Sequence, residues 1–101
     1  MRVNNVNGTS ERTCGCGSWL NHWVKYSKQP IPGYCSEKSC LKKPEVGAHV
    51  QLDGSLDRAW YIVPLCAEHN RQTGGSLNLG DSVQLVPANV AATCAKTPVW
   101  R

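Results

Sequence analysis

Cys35-Ser36-Glu37-Lys38-Ser39-Cys40 and Leu65-Cys66-Ala67-Glu68-His69-Asn70 are the stretches whose reading decides the fold of this chain. The first is a C-x4-C pair inside a polar loop that runs from Tyr34 to Lys43. The second is a C-x2-H pair at the place where a short helix is expected to begin. A short loop can turn two thiols towards one point, and the first turn of a helix presents two side chains three residues apart on one face. Three thiols and an imidazole are a donor set for a closed tetrahedral zinc site. The expected metal ligands are therefore Cys35, Cys40, Cys66 and His69, with structural zinc as the cofactor. The plain alternative for the same residues is buried free cysteines beside an unrelated surface histidine.

The segment between the pairs reads as a hairpin that brings them together. Ala48-His49-Val50-Gln51-Leu52 alternates like a strand, with Ala48, Val50 and Leu52 on one face and His49 on the polar face. Asp53-Gly54-Ser55 begins a turn, and Trp60-Tyr61-Ile62-Val63 reads as a second strand ended by Pro64. The helix near Cys66 is expected to stop before Gly74-Gly75. Upstream, Ser18 caps a helix running to about Lys28, with Trp19, Leu20, Trp23, Val24 and Ser27 on one face. Gln29-Pro30-Ile31-Pro32-Gly33 stops it. Residues 1–13 read as irregular, and Ser82–Val86 as a late strand. The order is helix, loop, hairpin, helix, strand, which is an α+β chain.

Composition fits this reading. The chain has 101 residues, six cysteines, four tryptophans, three tyrosines and no phenylalanine. That length suits a single domain over 1–101, with a core at about 18–75 and flanking segments at 1–17 and 76–101. So small a domain buries a modest core and gains from a metal. The N-terminal residues are polar and lack the apolar run of a signal peptide. No stretch approaches the roughly 20 apolar residues of a membrane span. The expectation is a cytoplasmic, reducing setting, where paired cysteines favour metal over disulfides. The formal charge of +4 mildly favours DNA or RNA as partner, although three thiolates on a dication remove one unit of it. Nothing points to a small-molecule ligand. Cys14, Cys16 and Cys94 are open between a second metal site, with or without His22, a disulfide, and reduced thiols. His22, beside Trp23 on a helix, reads as an ordinary surface histidine.

The stretch from Trp19 to Thr73 resembles the HNH endonucleases of the zinc-containing, treble-clef type. Four features carry the resemblance in order: the Trp-bearing helix, the Cys35/Cys40 knuckle, the strand Gly47-Ala48-His49-Val50, and Val63-Pro64-Leu65-Cys66-Ala67-Glu68-His69-Asn70. The resemblance implies a small zinc-stabilised treble-clef (ββα) domain with an additional N-terminal helix. It also implies a hydrolase cutting DNA or RNA phosphodiesters. His49 would be the general base and Asn70 a ligand of a catalytic Mg or Mn ion, with Cys66 and His69 as the helix-borne zinc ligands. An imidazole near its pKa can take a proton from an attacking water, and a divalent ion stabilises charge on the phosphate. The chain departs from the family pattern at Ala48, before the base, and at Tyr61, where an asparagine would stand. Asn70 brings a neutral amide to a hard cation that prefers carboxylate.

Two functions follow from these residues. One is a metal-dependent nuclease, with Arg58, Arg71, Lys42 and Lys43 on phosphates. The other is a catalytically inactive zinc-binding module for nucleic acid or protein interaction, with Tyr26, Tyr34, Trp60 and Tyr61 as surface or core aromatics. A purely structural domain and a redox sensor at Cys14 and Cys16 are further alternatives.

Overall fold

The computed structural model describes residues 1–6, 18–54, 56, 59–72 and 76–88. Cys14, Cys16, Cys94, Arg58 and the Gly74-Gly75 helix stop lie outside these residues. In chain order the elements are β1 (Arg2–Asn5), α1 (Trp19–Ser27), β2 (Val46–Leu52), β3 (Tyr61–Leu65), α2 (Ala67–Asn70), β4 (Leu77–Asn78) and β5 (Val86–Pro87). The chain is a small α+β domain, with an antiparallel sheet ordered β4-β1-β2-β3-β5 and two helices.

The expected hairpin forms, and its register fixes which residues share a face. Val46 pairs with Leu65, Ala48 with Val63 and Val50 with Tyr61, while His49 pairs with Ile62 and Gly47 with Pro64. Opposed residues point to the same side and neighbours to opposite sides. Ala48, Val50, Val63 and Leu65 therefore face one core with Val3, Leu77, Leu79, Cys35 and Cys66. Ile62 faces a second core with Trp23 and Val86, against which Trp19, Val24 and Tyr26 of α1 pack.

Ser18 caps α1 as expected, its side chain accepting from the Asn21 amide. Lys28 ends the helix in the left-handed conformation at φ 60, its N–H returned to the Val24 carbonyl. Trp23 anchors the helix, fully buried, with Nε1 donating to the Gln84 carbonyl at 2.8 Å. His22 is not the surface histidine expected from its neighbours. It is fully buried, and its Nε2 lies 2.9 Å from the Pro87 carbonyl. This contact also shields the sheet edge: Ala88 turns its N–H to the Trp60 carbonyl, so Pro87 faces outward, where no ladder donor is required.

Three strand expectations change. Residues 1–13 do not stay irregular at their start, because Arg2–Asn5 pairs with β2 on one side and β4 on the other. Only Val3 in that strand is buried, so it carries no alternation that could announce it. Pro64 does not end β3. In a strand, a residue's N and C=O point the same way, and the Pro64 carbonyl accepts from Ser36 N–H at 2.9 Å. The missing proline N–H therefore faces away from β2 and costs no hairpin bond. The late strand is Val86–Pro87, with Leu77–Asn78 as a further, unexpected pairing.

The knuckle loop closes this sheet. Ser36 N–H binds the Pro64 carbonyl on β3, Lys38 N–H binds the Asn78 carbonyl on β4, and Glu37 bridges to Leu79. The hydrogen-bonded circuit therefore runs β4-β1-β2-β3-knuckle and back to β4, with the first core inside it.

On the other face, Gly47 permits the close approach of α1. A Cβ there would lie 2.4 Å from the Trp19 carbonyl carbon and 2.6 Å from Leu20 N, both backbone atoms. Gly47→Ala is expected to lower the stability of the metal-loaded chain by about 1–3 kcal/mol, the usual cost of overpacking. Urea denaturation followed by tryptophan fluorescence measures this. An unchanged midpoint would mean that α1 does not dock as described.

Candidate metal centre

The knuckle is built by its own backbone. Cys35 N–H donates to the Lys42 carbonyl at 2.7 Å and Cys40 N–H to the Glu37 carbonyl at 3.1 Å. The Glu37 carboxylate braces the turn by accepting from Ser39 N–H at 2.8 Å and Ser39 Oγ–H at 3.0 Å. These bonds hold the two thiols on one side of a tight loop.

The second pair stands on one helical turn. Cys66 is extended, at φ −70 and ψ 164, and caps α2 by accepting from the His69 amide through Sγ at 3.4 Å. An N-cap side chain and the residue three positions on lie side by side. The turn is held from outside as well. Glu45 accepts from Ala67 N–H at 2.8 Å, and Asn5 Nδ2 donates to the carbonyls of His69, Asn70 and Gln72. Glu45 thus places a carboxylate at the helix start, where it is favoured. An exposed ion pair between Lys42 and Glu68 spans from knuckle to helix. Glu68 holds the Lys42 ammonium above its ordinary pKa, with Cys66 and Cys40 adding to the effect, and Lys42 holds the Glu68 carboxyl below its own.

The four expected donors meet. The ligand atoms of Cys35, Cys40, Cys66 and His69 all lie within 4.8 Å of one another. Cys40 Sγ is 3.9 Å from Cys66 Sγ, and His69 Nδ1 is 3.6 Å from Cys35 Sγ and 3.3 Å from Cys66 Sγ. A tetrahedral ion with Zn–S of about 2.3 Å and Zn–N of about 2.0–2.1 Å sets its ligands about 3.8 Å apart for S···S and about 3.6 Å for S···N. These three spacings are close to that tetrahedron, so the donor set fits zinc with Nδ1 of His69 as the imidazole ligand. Cys35 and Cys66 are buried, while Cys40 and His69 are half-buried.

Burial pushes the Cys35 thiol up to about 11, against the opposing pull of the Glu37 and Cys66 amides. Without metal it is protonated at neutral pH, and a bound ion must expel that proton.

The two residues expected at a catalytic position are not brought together. His49 turns to the face covered by α1, 4 % exposed, with its ring 4.6 Å from that of Trp19 and 5.7 Å from that of Trp60. Asn70 sits on α2, which the Asn5 side chain grips from the opposite face, the face Asn5 shares with Val50. The sheet stands between them. Of the expected aromatics, Tyr34 alone is exposed, at 59 %; Tyr26 and Tyr61 pack against the two cores. Lys42 is committed to Glu68, and Arg71 is exposed. The burial of His22 and the β1 strand had no signal in local sequence.

Comparisons with family models, curated proteins and solved structures find no match to this chain.

Two outcomes are expected. First, apparent zinc affinity rises about tenfold per pH unit through the Cys35 thiol alone between about pH 6.5 and 7.5, since the ligand must be deprotonated. Competition with a chelating dye measures the combined slope of the three thiols, and a slope unchanged in Cys35→His would exclude Cys35 as a ligand. Second, Cys66→Ser removes zinc binding and with it a contribution on the order of 10 kcal/mol. Circular dichroism should then show an unfolded chain, as should wild type treated with a strong chelator.

Proposed function

We propose that this chain is a zinc-stabilised binding module, a treble-clef scaffold of HNH-like pattern without an assembled nuclease site. The observation that carries this reading is the contrast between two residue sets. Cys35, Cys40, Cys66 and His69 converge within 4.8 Å, whereas His49 is buried under α1 and Asn70 stands across the sheet. A general base must reach the water it activates, and a histidine packed between Trp19 and Trp60 serves the core instead.

Charge favours a polyanion as the partner, DNA or RNA. Glu37, Glu45, Glu68 and Asp53 are each engaged by hydrogen bonds or ion pairs. Lys25, Lys28, Lys38, Lys43 and Arg71 are exposed and make no ion pair among the described residues. Such cations release counterions when they meet phosphates. Among the described residues no helix is long and apolar enough to cross a membrane, and a reducing, cytoplasmic setting suits a site with three thiolates.

Fluorescence anisotropy with single-stranded and duplex oligonucleotides tests the reading. Affinity is expected to fall about tenfold or more between about 50 and 200 mM salt. No binding at low salt would redirect the module to a protein partner. Incubation of labelled DNA and RNA with Mg, Mn or Ni is expected to give no cleavage by the zinc-loaded chain. Cleavage by wild type that a folded His49→Ala variant loses would restore the nuclease reading.

A further inference from the structure

A groove of about 330 Å³ opens beside the knuckle, lined among others by Gly33, Tyr34, Cys35, Ser36, Lys38 and Cys40. Its volume falls at the lower end of the range for small-molecule sites. Two of the four metal donors therefore lie on its wall. Cys40 is the half-buried thiol of the cluster, whereas Cys35 and Cys66 are 5 % and 1 % exposed. Lys38 is an exposed cation on the same lining, without an ion pair among the described residues. A polar molecule entering this groove would meet the Lys38 and Glu37 side chains beside Cys40 on its lining.

Zinc changes what that sulfur can do. A metal-bound cysteine stays a thiolate at neutral pH, and the thiolate is the nucleophile of disulfide exchange. Cys66 Sγ lies 3.9 Å from Cys40 Sγ, close enough to reach it by side-chain rotation.

We propose that Cys40 is a thiol-exchange site for a small disulfide admitted by this groove, with Cys66 as the resolving thiol and loss of zinc as the consequence. The inference rests on the zinc-loaded reading above. In the first step the Cys40 thiolate attacks one sulfur of the disulfide. A Cys40–S–S–R bond forms, the R–S–S–R bond breaks, and one thiolate RS⁻ leaves. A Cys40 sulfur held in that bond would be a weak ligand, so Cys35, Cys66 and His69 would be left to hold a bound ion. In the second step the Cys66 thiolate attacks the Cys40 sulfur. The Cys40–Cys66 disulfide forms and a second RS⁻ leaves, so only Cys35 and His69 would remain to hold a zinc ion, too few for a closed site. Two protein thiolates are oxidised, and one disulfide is reduced to two thiols.

The test uses the zinc-loaded full chain and oxidised glutathione as the probe. Zinc release is followed with a zinc-responsive dye, and peptide mass spectrometry locates the modified cysteine. The expected result is a mixed disulfide first at Cys40, then a Cys40–Cys66 bond in step with zinc release, both reversed by dithiothreitol. Cys40→His, which keeps four donors suited to zinc, is expected to release the ion about tenfold more slowly. Gly33→Trp adds bulk at the groove, where a Cβ meets nothing within 4 Å, and should slow the reaction while zinc affinity holds. A first adduct on Cys14, Cys16, Cys35, Cys66 or Cys94 would overturn the inference, as would zinc release unchanged in Cys40→His. If Cys40→His fails to bind zinc, the wild-type adduct map decides alone. A wild-type chain that never takes up zinc would instead overturn the metal reading, and this inference with it.

Discussion

The hydrogen bond from Ser36 N–H to the Pro64 carbonyl joins the two halves of the candidate metal centre. Ser36 follows Cys35 directly, and Pro64 precedes Cys66 by two residues. One backbone bond between a loop and a strand thus sets the spacing of two ligand pairs that are far apart in sequence. It is available because a proline ends the ladder on that side of β3: Pro64 offers a carbonyl and withholds a donor, so the edge accepts a loop and cannot extend into another regular strand. The neighbouring bonds from Lys38 to Asn78 and from Gly80 to Ser36 carry the same loop across to β4. A metal at Cys35 and Cys40 would therefore lock the closure of the sheet as well as the local turn, which is how one ion can stabilise most of so small a domain.

The sheet divides the molecule into two chemical environments. One face is apolar and ends at the thiols. The other carries histidine and tryptophan under α1, packed so closely that Gly47 must lack a side chain. His49 is drawn into that second face by strand parity: with Ala48 and Val50 fixed towards the metal-side core, the residue between them can only point to the helix. The burial that makes it useful for packing Trp19 and Trp60 separates it from α2. Convergence of the four donors and placement of His49 are thus independent consequences of the sequence.

What could be read from the residues follows the strength of local signals. The four donors, the hairpin and the Ser18-capped helix were legible because spacing, alternation and a capping residue each act within a few positions. Parity also gave the side of the strand on which His49 lies. That face was expected to be polar, but whether it is wet or covered depends on a helix more than twenty residues upstream, which alternation cannot reveal. His22 was misjudged for the same reason, since its partner is the carbonyl of Pro87. β1 was invisible because Arg2, Asn4 and Asn5 are polar and poor strand formers; pairing on both sides overrides that preference. Pro64 was misread as a stop because the rule about proline in strands concerns the side on which the N–H is missing, and sequence does not show sides.

The distribution of carboxylates bears on function in a way that net charge does not. A chain at +4 is only mildly basic, and a zinc centre with three thiolates lowers the total. Yet Glu37, Glu45, Glu68 and Asp53 all serve the architecture: a turn brace, a helix cap, a strap from knuckle to helix and a tie to Arg2 and Asn4. Glu68 and Asp53 are paired with Lys42 and Arg2, whereas Glu37 and Glu45 accept from neutral donors and keep their charge. Lys25 and Lys28 of α1 and Lys38 and Lys43 of the knuckle face solvent without an ion pair among the described residues. The same acids therefore shape the metal centre and tie it to the sheet around it.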